Sequence, residues 1–285
     1  MLVLAVAFAV LGAASNAAGT AFQRKAAATV PQGGGLRLLL ALARKPAWLI
    51  GIAGVTVAAV SQAVALANGP LSLVQPVFIL ELPFALLFGT FLLHRRLPEQ
   101  GWWAVAAVVA GLALALGAAA PTGARDLAPM TRWIPALIAC LGAMAAAAAI
   151  SVRSHSGLLR AVVLGGAAAV GNALTAALLK TATFTLIQDG LLAFLTTWQT
   201  YGFVVCGIGA VLLLENALQA GSLAASQPAL TIGDATVSLA LGIFLFDESI
   251  RLGWWLLPAC VGVAIVLVGV LTLARAVPNI HTTTG

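Results

Sequence analysis

The stretch GSLAASQPALTIGDATVSLALGIFLFDESIRLGWW, residues 221–255, is apolar enough to lie in lipid, yet Gln227, Thr231, Asp234 and Ser238 are set into it. An earlier stretch, GPLSLVQPVFILELPFALLFGTFLLHRRLPEQGWW at 69–103, reads as the same text. Sliding the chain by 152 residues lays Gly69, Leu71, Gln75 and Pro76 on Gly221, Leu223, Gln227 and Pro228 without a gap. Gly101-Trp102-Trp103 then fall on Gly253-Trp254-Trp255, and Ala65-Leu66 on Ala217-Leu218. Two questions follow: what medium such a repeat is built for, and why it carries a carboxylate near its middle.

Composition answers the first. The chain is 62% hydrophobic and 8% charged, against about 25% charged in soluble domains. Too few charges remain to cover a soluble surface, and a mean hydropathy of +1.08 fits an integral membrane protein. The net charge of +6 does not point to nucleic acid, because Lys and Arg fall in short gaps between apolar runs and form no basic face. Cys140, Cys206 and Cys260 each lie inside an apolar run without metal-ligand spacing or a disulfide framework. His94, His155 and His281 are scattered. The opening residues, MLVLAVAFAVLGAASNAAGTAFQRK, lack the basic lead of a signal peptide and carry their charges after the apolar run, so they read as a retained span.

Nine apolar runs are long enough to cross a bilayer, near residues 2–22, 47–67, 71–93, 102–120, 132–152, 158–183, 200–219, 223–246 and 253–274. Two patches, 36–43 and 191–196, are too short to span and suit the interface. The first gap holds Arg24, Lys25, Arg37, Arg44 and Lys45, the second no basic residue, the third Arg95 and Arg96, and the fifth Arg153 and Arg160. Basic residues collect on the cytoplasmic side. Placing the first gap there puts ten of the 14 Lys and Arg inside. The reading is a multi-pass cell-membrane protein with an external N-terminus and a cytoplasmic C-terminus.

Under the 152-residue shift, runs one to four match runs six to nine, with run five as the connector. Equivalent runs are five crossings apart, so the second copy enters from the opposite side. That is an inverted-topology repeat, a common plan among secondary transporters. The expected fold is an all-α multi-span membrane protein, about nine transmembrane helices in two inverted four-helix repeats plus a linking helix. The divisions are 1–122 for the first repeat, 123–157 for the linking span, 158–275 for the second repeat and 276–285 for a cytoplasmic tail.

The second question concerns the polar residues. Gln227, Thr231, Asp234 and Ser238 are spaced four, three and four, one narrow stripe on a helix. A charge in mid-bilayer costs about 2.5–3.5 kcal/mol on insertion scales, so the stripe faces the bundle interior or a wet cavity. There it either serves a substrate or bonds a neighbouring helix. Pro228 removes a backbone donor and frees a carbonyl one turn earlier, a candidate ligand at a midplane. Run one carries a second stripe, Asn16, Gly19, Thr20 and Gln23, and its repeat partner carries Asn172, Thr175 and Lys180. Lys180 enters a cavity, pairs with Asp234, or snorkels to the interface; its place near the end of its run favours snorkelling. Glu81 stands between Pro76 and Pro83, which predict a bent or broken helix. It aligns with Gly233, one position from Asp234, so carboxylates at similar depth flank a shared site. Gln62 and Gln75 complete the candidate lining. Glu215 and Asn216 lie at a span end, an interfacial position. The tryptophan pairs begin their spans and read as aromatic belts.

The halves ALANGPLSLVQPVF…RRLPEQGWWAVAAVVAGLALALG and ALQAGSLAASQPAL…FDESIRLGWWLLPACVGVAIVLVG resemble the drug/metabolite transporter superfamily, of the EamA-like type, over nearly the whole chain. On that resemblance Pro76 and Pro228 match the mid-helix proline and Glu248 the acidic residue before the last helix, where the first half has Arg95-Arg96. All three are then structural residues. The nine spans, the basic first gap and NALTAALLK at 172–180 are similar to the NIPA-type magnesium transporter branch.

Together these readings imply a secondary transporter of a small solute or cation working by alternating access. The alternatives are a NIPA-like divalent cation transporter and a non-transporting membrane scaffold. Neither an enzyme signature nor a cofactor motif is present: no P-loop, GxSxG or HExxH occurs. The expected partners are the bilayer and the substrate, no nucleic acid, with a homodimer left open.

Overall fold

The computed structural model describes residues 1–27, 44–92, 99–123, 125–154, 156–220 and 223–276. The patch 36–43, Arg95-Arg96 and the tail after 276 lie outside the described residues, as does the side chain of Gln227. The helices are α1 (Leu2–Ala27), α2 (Pro46–Asn68), α3a (Leu71–Val77), α3b (Glu81–Leu92), α4 (Glu99–Ala119) and α5 (Met130–Arg153). They continue with α6 (Gly157–Thr196), α7 (Trp198–Ala220), α8 (Leu223–Phe246) and α9 (Leu256–Ala276). Among the described residues, nine helical segments are long and apolar enough to cross a membrane, and no strand is present. The chain is an all-α multi-pass membrane protein. In lipid a helix satisfies its backbone within itself, so apolar runs of this length have few alternatives.

Prolines set several starts. Pro46 opens α2 at a position where a missing N–H costs nothing. The third span is jointed: a 3₁₀ turn, Phe78–Leu80, separates α3a from α3b just after Pro76. α8, by contrast, runs through Pro228 without a non-helical residue.

The sixth span departs from expectation. The helix does not stop near 183 but continues to Thr196, with a kink at Gly190, whose φ of 85° and ψ of −178° suit glycine alone. Residues 191–196 are therefore a short helical extension beyond the kink, and Leu191, Leu192 and Leu195 are exposed on it. The added turns carry α6 past Lys180, which therefore does not lie at the end of its helix.

Packing is organised by close backbone approach. α1 lies on α2 and α6 on α7; α1 also packs on α3 and α6 on α8; α4 packs on α9. Under the 152-residue shift the first pairings map onto the second, and α4–α9 maps onto itself. A Cβ on Gly19 of α1 would come within 2.8 Å of Gly51 O on α2, and one on Gly111 of α4 within 2.8 Å of Gly262 O on α9. Lipid tails are as apolar as leucine, so helices associate through such contacts rather than by escaping water. α6 is the central helix. Of its apolar stretch 61% is enclosed by protein, against 17% for α5 and for α7, which lie at the periphery.

Candidate functional site

Loops from both halves meet at one end of the bundle. Thr122 and Ser249 exchange backbone bonds, Thr122 N to Ser249 O and Ser249 N to Thr122 O, both 2.9 Å. Arg251 N reaches Ala119 O at 2.8 Å, tying the loop after α8 to the loop after α4. Asp247 ends α8 in the left-handed region at φ 51°, which Asp tolerates better than most residues. The turn sends two consecutive acids in opposite directions.

Asp247 points outward and is half-exposed. Its Oδ2 meets Arg125 Nε at 2.9 Å, and its Oδ1 meets Arg132 Nη1 at 2.5 Å. The hydrogen bond from Arg132, with the charges of Arg125 and Arg132, holds its carboxyl below the ordinary 3.8 against a smaller opposing effect of burial. A depressed value means stabilisation that is complete above the ordinary value and lost as pH falls through the depressed one. The expected result for Asp247→Asn is a lowered Tm at neutral pH. The gap to wild type closes in acid below 3.8. Thermal unfolding at a series of pH values checks it, and a pH-independent gap would refute the ion-pair account.

Glu248 points inward. It is 3% exposed and accepts from Leu71 N at 2.6 Å, Ser72 N at 2.9 Å and Ser72 Oγ at 2.6 Å. Lys180 Nζ donates to its Oε1 at 3.1 Å, with the lysine side chain 2% exposed. The same Nζ lies 3.5 Å from Gly69 O and 4.7 Å from the centre of the Phe246 ring, a cation–π contact. Expectations for Lys180 are thereby corrected: it neither snorkels nor pairs with Asp234. It is buried on α6 with Glu248 as counter-charge, because the segments at Gly69 and at Phe246–Glu248 close over its end. One turn below Ser72, Gln75 is buried, and Gln62 Nε2 on α2 donates to its Oε1 at 3.4 Å.

A second polar group lies on α8. Asp234 is half-buried and accepts from Ser238 Oγ at 3.4 Å; Ser238 is fully buried and Thr231 nearly so. Next to Asp234, a Cβ on Gly233 would meet Ala169 Cβ of α6 at 2.7 Å. Asp234 itself shares a helix face with Thr231 and Ser238, one turn from each, and both of those are buried. Asn172 is half-buried, and Thr175 returns its hydroxyl to Gly171 O at 2.7 Å. On α1, Asn16 and Thr20 are half-buried, and Thr20 bonds Ala17 O at 3.0 Å. The Cγ of Gln23 lies against Gly51 of α2, so its stem belongs to the α1–α2 contact. Glu81 is half-buried at the start of α3b. Glu215 and Asn216 are exposed near the end of α7. A shallow apolar recess at Gly253, Trp254, Leu256 and Cys260 includes none of these polar residues.

The structure therefore joins Gln62 to Gln75 and Asp234 to Ser238, and builds a buried ionic centre from Lys180, Glu248 and Ser72. Sequence reasoning passed over Ser72 and the Asp247–Arg125–Arg132 cluster. Adjacent acids closing an apolar run were the available signal for the second.

Fold and polar interior define a multi-pass, all-helical membrane protein with ionisable groups inside its bundle. Over 278 residues the chain is 31% identical to an uncharacterised protein of Corynebacterium glutamicum, covering 95% of this chain and 94% of that protein. The chain belongs to the family of that protein. No protein-family model and no solved structure matches it.

Proposed function

We propose that the protein is a secondary transporter of the drug/metabolite transporter type, moving a small solute or cation by alternating access. The observation that carries this reading is Asp234. It is an acidic residue in the middle of a membrane-spanning helix, half-buried on the face that carries Thr231 and Ser238, and it accepts a hydrogen bond from Ser238 at 3.4 Å. Ionisable residues inside membrane spans are expensive, and by default they mark a substrate or ion path. The 152-residue repeat and the pairing of helices that follows it support an inverted pair of four-helix halves, which suits rocking about a site between them.

Flux in proteoliposomes tests the reading, using a panel of magnesium and other cations, amines and metabolites. Concentrative movement of an amine or metabolite supports it. Movement of magnesium alone replaces it with the divalent cation alternative. No flux of any panel member, with the protein correctly inserted, favours a scaffold.

The orientation is part of the proposal. In a cysteine-free background, Gly123→Cys is expected to react with an impermeant maleimide on intact cells, and Gly33→Cys is not. The reverse pattern would invert the topology.

A further inference from the structure

We propose that the Lys180–Glu248 pair is a latch closing the end of the molecule that carries the 247–252 loop, and that α3a swings on the Phe78–Leu80 turn when the latch opens. The inference rests on the alternating-access reading and adds the element that would alternate.

Three segments far apart in sequence meet at one carboxylate. Glu248, just after α8, takes three hydrogen bonds from Leu71 and Ser72 at the start of α3a and one from Lys180 of α6. One side chain thus gathers all four bonds, and Glu248→Gln removes the charge that draws them together and strands the lysine. A Cβ on Gly242 would run into the Glu248 side chain, so glycine there leaves room for the carboxylate to lie back along α8. The surroundings are apolar: Leu71, Val74, Leu245 and Phe246 are all fully buried. In such a place apolar side chains hold helices together at least as well as an ion pair, whose desolvation cancels most of its attraction. A buried pair differs in being all-or-none, since either partner alone is intolerable there.

The joint supplies the second requirement. α3a has only seven residues and is separated from α3b by the 3₁₀ turn Phe78–Leu80, so it can tilt while α3b stays on α1. The polar contact below the latch, Gln62 to Gln75, is long at 3.4 Å and offers little resistance. Two buried polar atoms in this region, Trp133 Nε1 and Thr181 Oγ1, have no hydrogen-bond partner among the described residues. Trp133 packs edge-on against Phe246 with ring centres 6.5 Å apart, and Thr181 follows Lys180 on α6.

Val74 is 0% exposed, one turn below the latch, and Val74→Cys makes a reporter once Cys140, Cys206 and Cys260 are replaced by alanine. The full chain is placed in sealed vesicles and an impermeant maleimide is added from one side. A separate Gly123→Cys protein identifies the side bearing the 247–252 loop. Glu248→Gln is expected to raise the reporter's labelling rate about tenfold or more from that side only, the scale set by losing bonds to a charged group. Where Glu248→Gln reduces the yield of folded protein, Ser72→Ala removes one donor, keeps the ion pair, and is expected to raise the rate severalfold. Unchanged rates in both variants overturn the latch, and so does equal acceleration from both sides, which is general loosening. The readout needs no substrate. One-sided acceleration in a chain that moves no solute keeps the latch and removes transport. Robust flux with unaltered labelling keeps transport and removes the latch.

Discussion

Asp234→Asn is expected to abolish concentrative transport while leaving the protein folded and inserted. Asn has nearly the size of Asp and still accepts a hydrogen bond from Ser238, which lies 3.4 Å from Asp234 Oδ1. What the substitution removes is the charge and the ability to exchange a proton. Both routes by which this residue could serve a cycle need one of those: an ionised carboxylate holds a cation or a donor, and a protonated one trades its proton for the solute. Loss of a contact to a charged group, about 1.5–3 kcal/mol, corresponds to a fall in flux of roughly ten- to hundredfold. Glu81→Gln is expected to cost less, because Glu81 opens α3b beside the 3₁₀ turn, whereas Asp234 lies mid-helix between the buried Thr231 and Ser238. If Asp234 is only a bond between helices, Asn replaces it and nothing changes. The measurement is initial uptake across a pH series for wild type and variant, normalised to inserted protein. Matching rates and matching pH profiles would make Asp234 structural and move the site to another helix.

The spans were legible because lipid imposes one rule, a long apolar run closed into a helix, and eight of the nine runs end within a few residues of where they were placed. The exception teaches most. FTLIQDG, residues 184–190, looks like the end of a span, since Gln188 and Asp189 are polar. A helix ends where its backbone can no longer continue, however, and that point is Gly190. Lys180 looked like an interfacial lysine for a different reason: its counter-charge, Glu248, is distant in sequence and no local pattern announces the pairing. The joint in the third span was legible in Pro76 and Pro83, whereas Pro228 alone gave no interruption in α8. The polar stripes were legible as residues but not as contacts. Gln62 and Gln75 were both expected to line a site, yet their meeting depends on how α2 lies against α3a. Nor does any local pattern reveal that Asp247 and Glu248 part company, because that depends on the left-handed turn at Asp247.

The stability of the ionic centre yields the other large effect. Lys180→Met keeps the length and apolar stem of the side chain but leaves Glu248 charged in a site where its side chain has no exposure. Three donors remain on it, Leu71 N, Ser72 N and Ser72 Oγ, and none carries a charge. Removing one partner of a buried pair costs about 3–5 kcal/mol, a large part of the roughly 5–15 kcal/mol that holds a typical domain together. Glu248→Gln alone strands the lysine in the same way. The double variant, Lys180→Met with Glu248→Gln, strands no charge, and the glutamine carbonyl can still accept from Leu71 N and Ser72. It is therefore expected to be more stable than Lys180→Met, with the two losses far from additive. Thermal unfolding of the four proteins in one detergent, followed by tryptophan fluorescence, measures the cycle. Losses that simply add would mean the two side chains act independently and that water or lipid headgroups reach the site. A double variant that recovers stability identifies Lys180 and Glu248 as one unit, because the cost lies in a lone buried charge and vanishes when neither is present.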